Sequence, residues 1–326
     1  MWWWYGPYRL FFVMFMAVVQ GVAEFLPVSS SGHLVLISNL FGLQHDVTLS
    51  ILLHAGTLLS VILYYARDVL RACFKTPRVA FLIIWGSIPT AAIGFSIMKF
   101  APSLEENLLL TGCCFIVTGV ILQTVMRRYC QNTEFDDYYE QIEYSAESND
   151  DDADVPLPKN EETMTWFDAF LIGITQGFAA LPGLSRSGVT ISTALWRGFD
   201  REWAGKFSFL LSIPVIGGGA LLELMKMYEE APGATFSEKF LSHPFLKTYL
   251  CAAAVSFLVG WFALSVLMRL LRDGRLHRFS WWLFLVGPAT IAFWCKLNWE
   301  TVSPYFMPLI EQVQKLIIFF QHHGFY

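Results

Sequence analysis

Charge is what this chain has little of. Only 15% of its 326 residues are Asp, Glu, Lys or Arg, while 55% are apolar; an ordinary soluble domain carries about 25% charge. That shortage excludes the two or three soluble domains the length alone would suggest, and no nucleic-acid partner is expected. The six cysteines (Cys73, Cys113, Cys114, Cys130, Cys251, Cys295) show no metal-ligand spacing and mostly sit in apolar runs, so they read as small hydrophobes. The first eight residues, Met-Trp-Trp-Trp-Tyr-Gly-Pro-Tyr, lack the charged region of a signal peptide. Their aromatic cluster reads as an interfacial anchor. What the chain does have is several nearly uncharged stretches of about twenty residues, enough to cross a hydrocarbon core of roughly 30 Å. Mean hydropathy is +0.48. The fold class is an all-α polytopic membrane protein.

The net charge of −5 comes from one place. Twelve acidic residues and a single base, Lys159, lie between Glu134 and Glu162; without them 21 basic residues face 15 acidic ones. The membrane body is mildly basic, which suits anionic head groups. Residues 131–163 read as a disordered acidic linker.

Six stretches read as spans: about 47–66, 79–100, 107–127, 205–228, 248–271 and 279–299. Two others, about 10–42 and 166–199, are interrupted by Pro, Gly and Ser, at Leu26-Pro27-Val28-Ser29-Ser30-Ser31-Gly32-His33 and Leu181-Pro182-Gly183-Leu184-Ser185-Arg186-Ser187-Gly188. Each is expected to be a re-entrant helix pair, because non-helical backbone at bilayer depth survives only inside protein or beside a wet cavity. The breaks also resemble each other. Gln20-Gly21-Val22-Ala23 matches Gln176-Gly177-Phe178-Ala179 at an offset of 156 residues, and three spans follow each. This reads as a duplication, residues 1–130 and 164–300, with an amphipathic segment at 301–326.

Orientation follows from Lys and Arg. The clusters at Arg67/Arg71/Lys75/Arg78, Arg127/Arg128, Arg197/Arg201/Lys206 and Arg269/Arg272/Arg275/Arg278 all thread to one side, taken as cytoplasmic. Both termini then fall outside and the linker inside. Three spans per half invert the second half, so the two breaks approach from opposite faces, as in transporters built from inverted repeats.

The breaks hold the chemistry. Gln20 and Glu24 share a helix face, and a carboxylate in an apolar helix costs roughly 2.5–3.5 kcal/mol on insertion scales. Ser29, Ser30 and Ser31 offer hydroxyls and amides at a helix N-terminus, where anions bind. His33 follows one turn on, a candidate acid, base or nucleophile. In the second break Ser185, Arg186 and Ser187 precede an apolar helix, and guanidinium suits phosphate. Together these point to phosphoryl transfer or hydrolysis, with a divalent cation (Mg or Ca) on Glu24 and substrate oxygens. His54 is a weaker candidate, for packing or support. Gln176 mirrors Gln20, but Ala180 stands where Glu24 would be, so the site is asymmetric.

Gln20-xxx-Glu24 with Pro27-Val28-Ser29-Ser30-Ser31-Gly32-His33 resembles the (E/Q)xxxE and PVSSxGH signature of the undecaprenyl-diphosphate phosphatases, the bacitracin-resistance family. Pro182-Gly183-Leu184-Ser185-Arg186-Ser187-Gly188-Val189-Thr190 is similar to that family's PGxSRSxxT motif, and Phe207–Pro214 to the stretch after it. The resemblance covers nearly the whole chain. It implies hydrolysis of undecaprenyl diphosphate to the monophosphate, which recycles the cell-wall lipid carrier. It also implies divalent-metal dependence, a bacterial plasma-membrane location and a site open to the outer face. By position, Glu24, Ser30, His33 and Arg186 become the catalytic core, and Gln20, Ser29, Ser31, Ser185, Ser187 and Thr190 bind phosphate. Partners are then the polyprenyl diphosphate lipid and the membrane, with a homodimer as a further expectation. Gln20 removes one metal ligand that a Glu would supply, and the acidic insert lies outside the family pattern. Whether Ser30, His33 or water attacks phosphorus stays open, as does a rival role as a lipid-phosphate carrier.

Overall fold

The computed structural model describes residues 9–43, 46–130, 158–229 and 244–300. The N-terminal aromatic cluster, residues 131–157 of the linker and the segment 301–326 lie outside them. The described residues form α1 (Arg9–Phe25), α2 (Ser30–Phe41), α3 (Val47–Tyr64), α4 (Ala66–Phe74), α5 (Pro77–Phe100), α6 (Leu108–Cys130), α7 (Trp166–Phe178), α8 (Arg186–Trp196), α9 (Arg201–Glu229), α10 (Leu246–Arg272) and α11 (Arg278–Leu297). Six of these, α3, α5, α6, α9, α10 and α11, are long and apolar enough to cross a membrane. They coincide with the six expected spans to within a few residues. The protein is a multi-pass, all-helical membrane protein.

Both interrupted stretches are helix pairs, α1–α2 and α7–α8, broken where Pro, Gly and Ser cluster. Each pair packs against spans of the other half. A Cβ on Gly21 of α1 would sit 2.9 Å from the Ser256 carbonyl of α10, and one on Gly173 of α7 would sit 2.0 Å from the Gly86 carbonyl of α5. Such approaches are the small-residue packing of helices in lipid, where close backbone contact replaces the hydrophobic effect as the cohesive force. Between the pairs lies a core that includes Phe25, Phe207, Phe209, Leu264 and Leu267, with the rings of Phe25 and Phe209 edge to face at 5.8 Å.

The second half starts earlier than expected. Residues 158–163, assigned to the linker from their charge, are docked. Lys159 donates its N–H to the Gly198 carbonyl, and its own carbonyl accepts from Asp200. Its ammonium reaches the fully buried Asp168, which Arg197 also contacts. Asp168 closes a capping box with Thr165 at the start of α7. A charge count could not show that this one base has a buried partner nine residues on, in the first turn of α7.

Candidate active site

The α1–α2 break is set by Ser29. It is the only non-glycine among the described residues with positive φ (70°), and its hydroxyl caps α2 by accepting from the Gly32 N–H. A non-glycine residue held there stores of order 1–3 kcal/mol, a cost that recurs at functional sites. The α7–α8 break turns at Gly183, where φ is 89° and a Cβ would lie 2.3 Å from the Thr111 carbonyl oxygen, so no side chain fits. Ser185 caps α8 through the Gly188 N–H. Thr118 of α6 fastens this turn, accepting from the Ser185 N–H at 3.1 Å and donating to the Gly183 carbonyl at 3.2 Å.

The two breaks meet. A Cβ on Gly32 would lie 2.7 Å from the Gly183 Cα, so backbone touches backbone. This contact brings Arg186 to Glu24, 162 residues away: Arg186 Nη2 donates to Glu24 Oε1 at 2.5 Å. The other carboxylate oxygen accepts from the Ser30 hydroxyl at 2.6 Å and from Gln20 Nε2 at 3.1 Å. Arg186 Nη1 is buried with no hydrogen-bond partner, a donor left over for something else.

Beside this pair opens a cavity of about 220 Å³ lined by Glu24, Ser29, Ser30, Ser31, Ser185 and Arg186, together with His54 of α3 and Glu223 of α9. Six of the ten expected site residues share it. The other four are placed nearby without lining it. Gln20 is buried behind Glu24. Ser187 pairs with the Ser185 hydroxyl at 3.3 Å. Thr190 bonds the Arg186 carbonyl and the Ser208 hydroxyl, fixing α8 on α9. His33 has both ring nitrogens engaged: Nδ1 with the Ser29 carbonyl at 2.8 Å, which makes Nδ1 the donor, and Nε2 with the Trp282 indole N–H at 3.0 Å. Its ring also stacks on Trp282, 9° from parallel.

Thr118, Trp282 and Glu223 were not singled out from the sequence. For Glu223 a signal existed. It is a lone acid within the apolar stretch of α9, in helical register with Ile216, Gly219 and Ala220, all of which line the cavity.

A carboxylate that holds a hydroxyl on one oxygen and a guanidinium on the other, next to a buried, unpartnered guanidinium nitrogen, sets a proton acceptor beside an anion-binding donor. Six spans and this cavity define an integral-membrane protein with a charged polar site among its helices. The family model for bacitracin resistance protein BacA matches residues 13–289, and this chain belongs to that family. It is similar to undecaprenyl-diphosphatases of Carboxydothermus hydrogenoformans, at 39% identity over 85% of this chain and 94% of the relative, and Rhodopirellula baltica, at 37% over 84% and 94%. A third, from Alkaliphilus metalliredigens, is 34% identical over 87% and 98%.

Proposed function

We propose that this protein hydrolyses undecaprenyl diphosphate to undecaprenyl phosphate and phosphate in the bacterial plasma membrane, with the site open to the outer face, and thereby confers bacitracin resistance. The observation that carries the reading is the Arg186 fork, one nitrogen on Glu24 and the other, Nη1, buried and unpartnered, in a residue that lines the cavity with four serines. A guanidinium N–H donates strong, charge-assisted hydrogen bonds to phosphate oxygens.

In this reading Nη1 takes an oxygen of the terminal phosphate, and the Ser29–Ser31 turn at the α2 N-terminus adds hydroxyls and a positive dipole end. Ser30 is the nucleophile that the geometry favours, since its hydroxyl already donates to the Glu24 carboxylate in the cavity. Glu24 accepts that proton as Ser30 Oγ bonds to phosphorus, and the bond to the bridging oxygen breaks, releasing the lipid monophosphate. Water then cleaves the phosphoserine, with Glu24 returning its proton to Ser30. His33 holds the turn's shape through the Ser29 carbonyl.

The divalent cation implied by the resemblance has no protein cage, for among the described residues no three His, Cys, Asp or Glu side chains converge to hold a metal. The donors fit a cation that takes most of its ligands from substrate, with Glu24 the protein carboxylate, as Mg²⁺ does at phosphate sites. Bound there, it would neutralise charge on the phosphate oxygens. Phosphate release by purified protein from undecaprenyl diphosphate, with and without chelator, tests the proposal; absence of release in a folded, metal-supplied sample overturns it. The carrier reading draws on the two broken helix pairs meeting inside the protein. Transbilayer movement of lipid without phosphate release would replace the hydrolase by that role.

A further inference from the structure

The cavity contains an imidazole that neither the motifs nor the mechanism above uses. His54 sits on α3, a full span rather than a hairpin tip. Its position is fixed: two residues on, a Cβ on Gly56 would stand 2.4 Å from the Ala253 carbonyl of α10, so helix backbones are in contact there. His54 Nδ1 lies 2.9 Å from the Ser50 carbonyl. A carbonyl only accepts, so Nδ1 carries a proton and Nε2 is the ring atom that remains, with no hydrogen-bond partner among the described residues. His33 offers no such atom, because Trp282 occupies its Nε2.

Charge says what that nitrogen is for. The ionisable groups on the cavity wall are Glu24 from α1, His54 from α3, Arg186 from α8 and Glu223 from α9. Glu24 and Arg186 neutralise each other, and Glu223 makes no hydrogen bond or ion pair within the described residues. With His54 neutral the wall is therefore net negative, the wrong sign for a diphosphate. A protonated His54 would cancel that charge, and it is the one described lining residue besides Arg186 that can carry a positive charge. With Nδ1–H on Ser50, a charged ring would have its Nε2–H left as a charge-assisted donor.

We propose that His54 is a substrate-binding residue, contacting the diphosphate through Nε2–H in the cavity it shares with Arg186. This deepens the proposed function and rests on it for the identity of the ligand. The contact belongs to binding rather than bond-making, so its loss shows in KM and in the affinity of an unreactive analogue.

The test compares wild type, His54→Gln and His54→Ala, measuring KM and kcat with lipid diphosphate and calorimetric binding of methylene diphosphonate. Loss of one charge-assisted hydrogen bond predicts about a tenfold or larger weakening in His54→Ala, in KM and analogue affinity alike, with kcat changed little. His54→Gln should recover part of it, because its amide donates without charge. Unchanged analogue affinity in His54→Ala overturns the proposal, and so does a loss confined to kcat. Analogue binding that weakens in His54→Ala, in a protein whose wild type releases no phosphate, refutes the hydrolase reading and leaves the His54 contact standing.

Discussion

Replacing Arg186 separates its two jobs, and the structure sets the size of each. One guanidinium nitrogen holds Glu24, whose side chain is 6% exposed, while Arg186 itself is 14% exposed; the other nitrogen is unpartnered. Lysine has one ammonium where arginine has a fork. In Arg186→Lys that ammonium can neutralise Glu24 or hold phosphate, and with the carboxylate already buried beside it the ion pair prevails. Stability should then stay near wild type, while the substrate loses a hydrogen bond to a charged group, worth about 1.5–3 kcal/mol. That is roughly a 10- to 150-fold rise in KM. Arg186→Ala removes both functions and leaves Glu24 buried without its cation, a change that typically costs about 3–5 kcal/mol of stability. Thermal unfolding in detergent together with phosphate-release kinetics reads both quantities on the same samples. An Arg186→Lys protein with wild-type KM would refute the division of labour between the two nitrogens. An Arg186→Ala protein as stable as wild type would refute the claim that Glu24 depends on it.

Other expectations follow from neighbouring features. Thr118→Val strands the buried Ser185 N–H, at about 1–3 kcal/mol for an unmade hydrogen bond, and should lower both melting temperature and kcat; wild-type values for both would show that the fastening is incidental. Gly32→Ala pushes apart the two breaks where they touch, so activity should fall further than stability, and equal falls would argue against a contact that aligns the site. Glu24→Gln should bind methylene diphosphonate but lose about 10²–10⁴-fold in kcat if Glu24 accepts the Ser30 proton. Removing residues 134–157 should leave phosphate release largely intact, whereas extending the deletion through Asn160 should destabilise the protein by taking Lys159 from Asp168; equal behaviour of the two deletions would refute the docking. In a cysteine-free background Ser103→Cys should react with an impermeant thiol reagent added outside and Asp273→Cys should not, the reverse pattern inverting the orientation.

The spans were legible because twenty apolar residues in a row have few fates, and the helix breaks were legible because Pro, Gly and Ser interrupted them. Glu24, Ser30 and Arg186 could be named because charge and hydroxyls are rare in such surroundings. Their pairing across 162 residues is written in neither motif, since spacing along a chain does not say which backbone turns touch. Thr190 and Ser187 carry side chains fit for phosphate, yet they face α9 and the Ser185 hydroxyl, because a helix can present only part of its circumference to a cavity. His33 and His54 looked alike as letters in apolar stretches. The indole of Trp282, contributed 249 residues later, separates them, and nothing local to His33 encodes it. The docking of Lys159 was hidden for the opposite reason, by the twelve acids around it.

The Glu24–Arg186 contact also bears on how the protein is made. Until α8 is in place, a nascent first half carries a carboxylate in apolar surroundings without its counter-ion, at the roughly 2.5–3.5 kcal/mol that membrane insertion exacts. Ala180 occupies the place in the second half that corresponds to Glu24, so two first halves, or two second halves, could not satisfy each other. The first half therefore lacks the counter-ion for Glu24 until the second arrives, and the bond that supplies it also joins the two broken helix pairs. Co-expressed halves, separately inactive, should recover activity together, and a partially translated chain in the membrane would have no active site with which to attack its lipid surroundings.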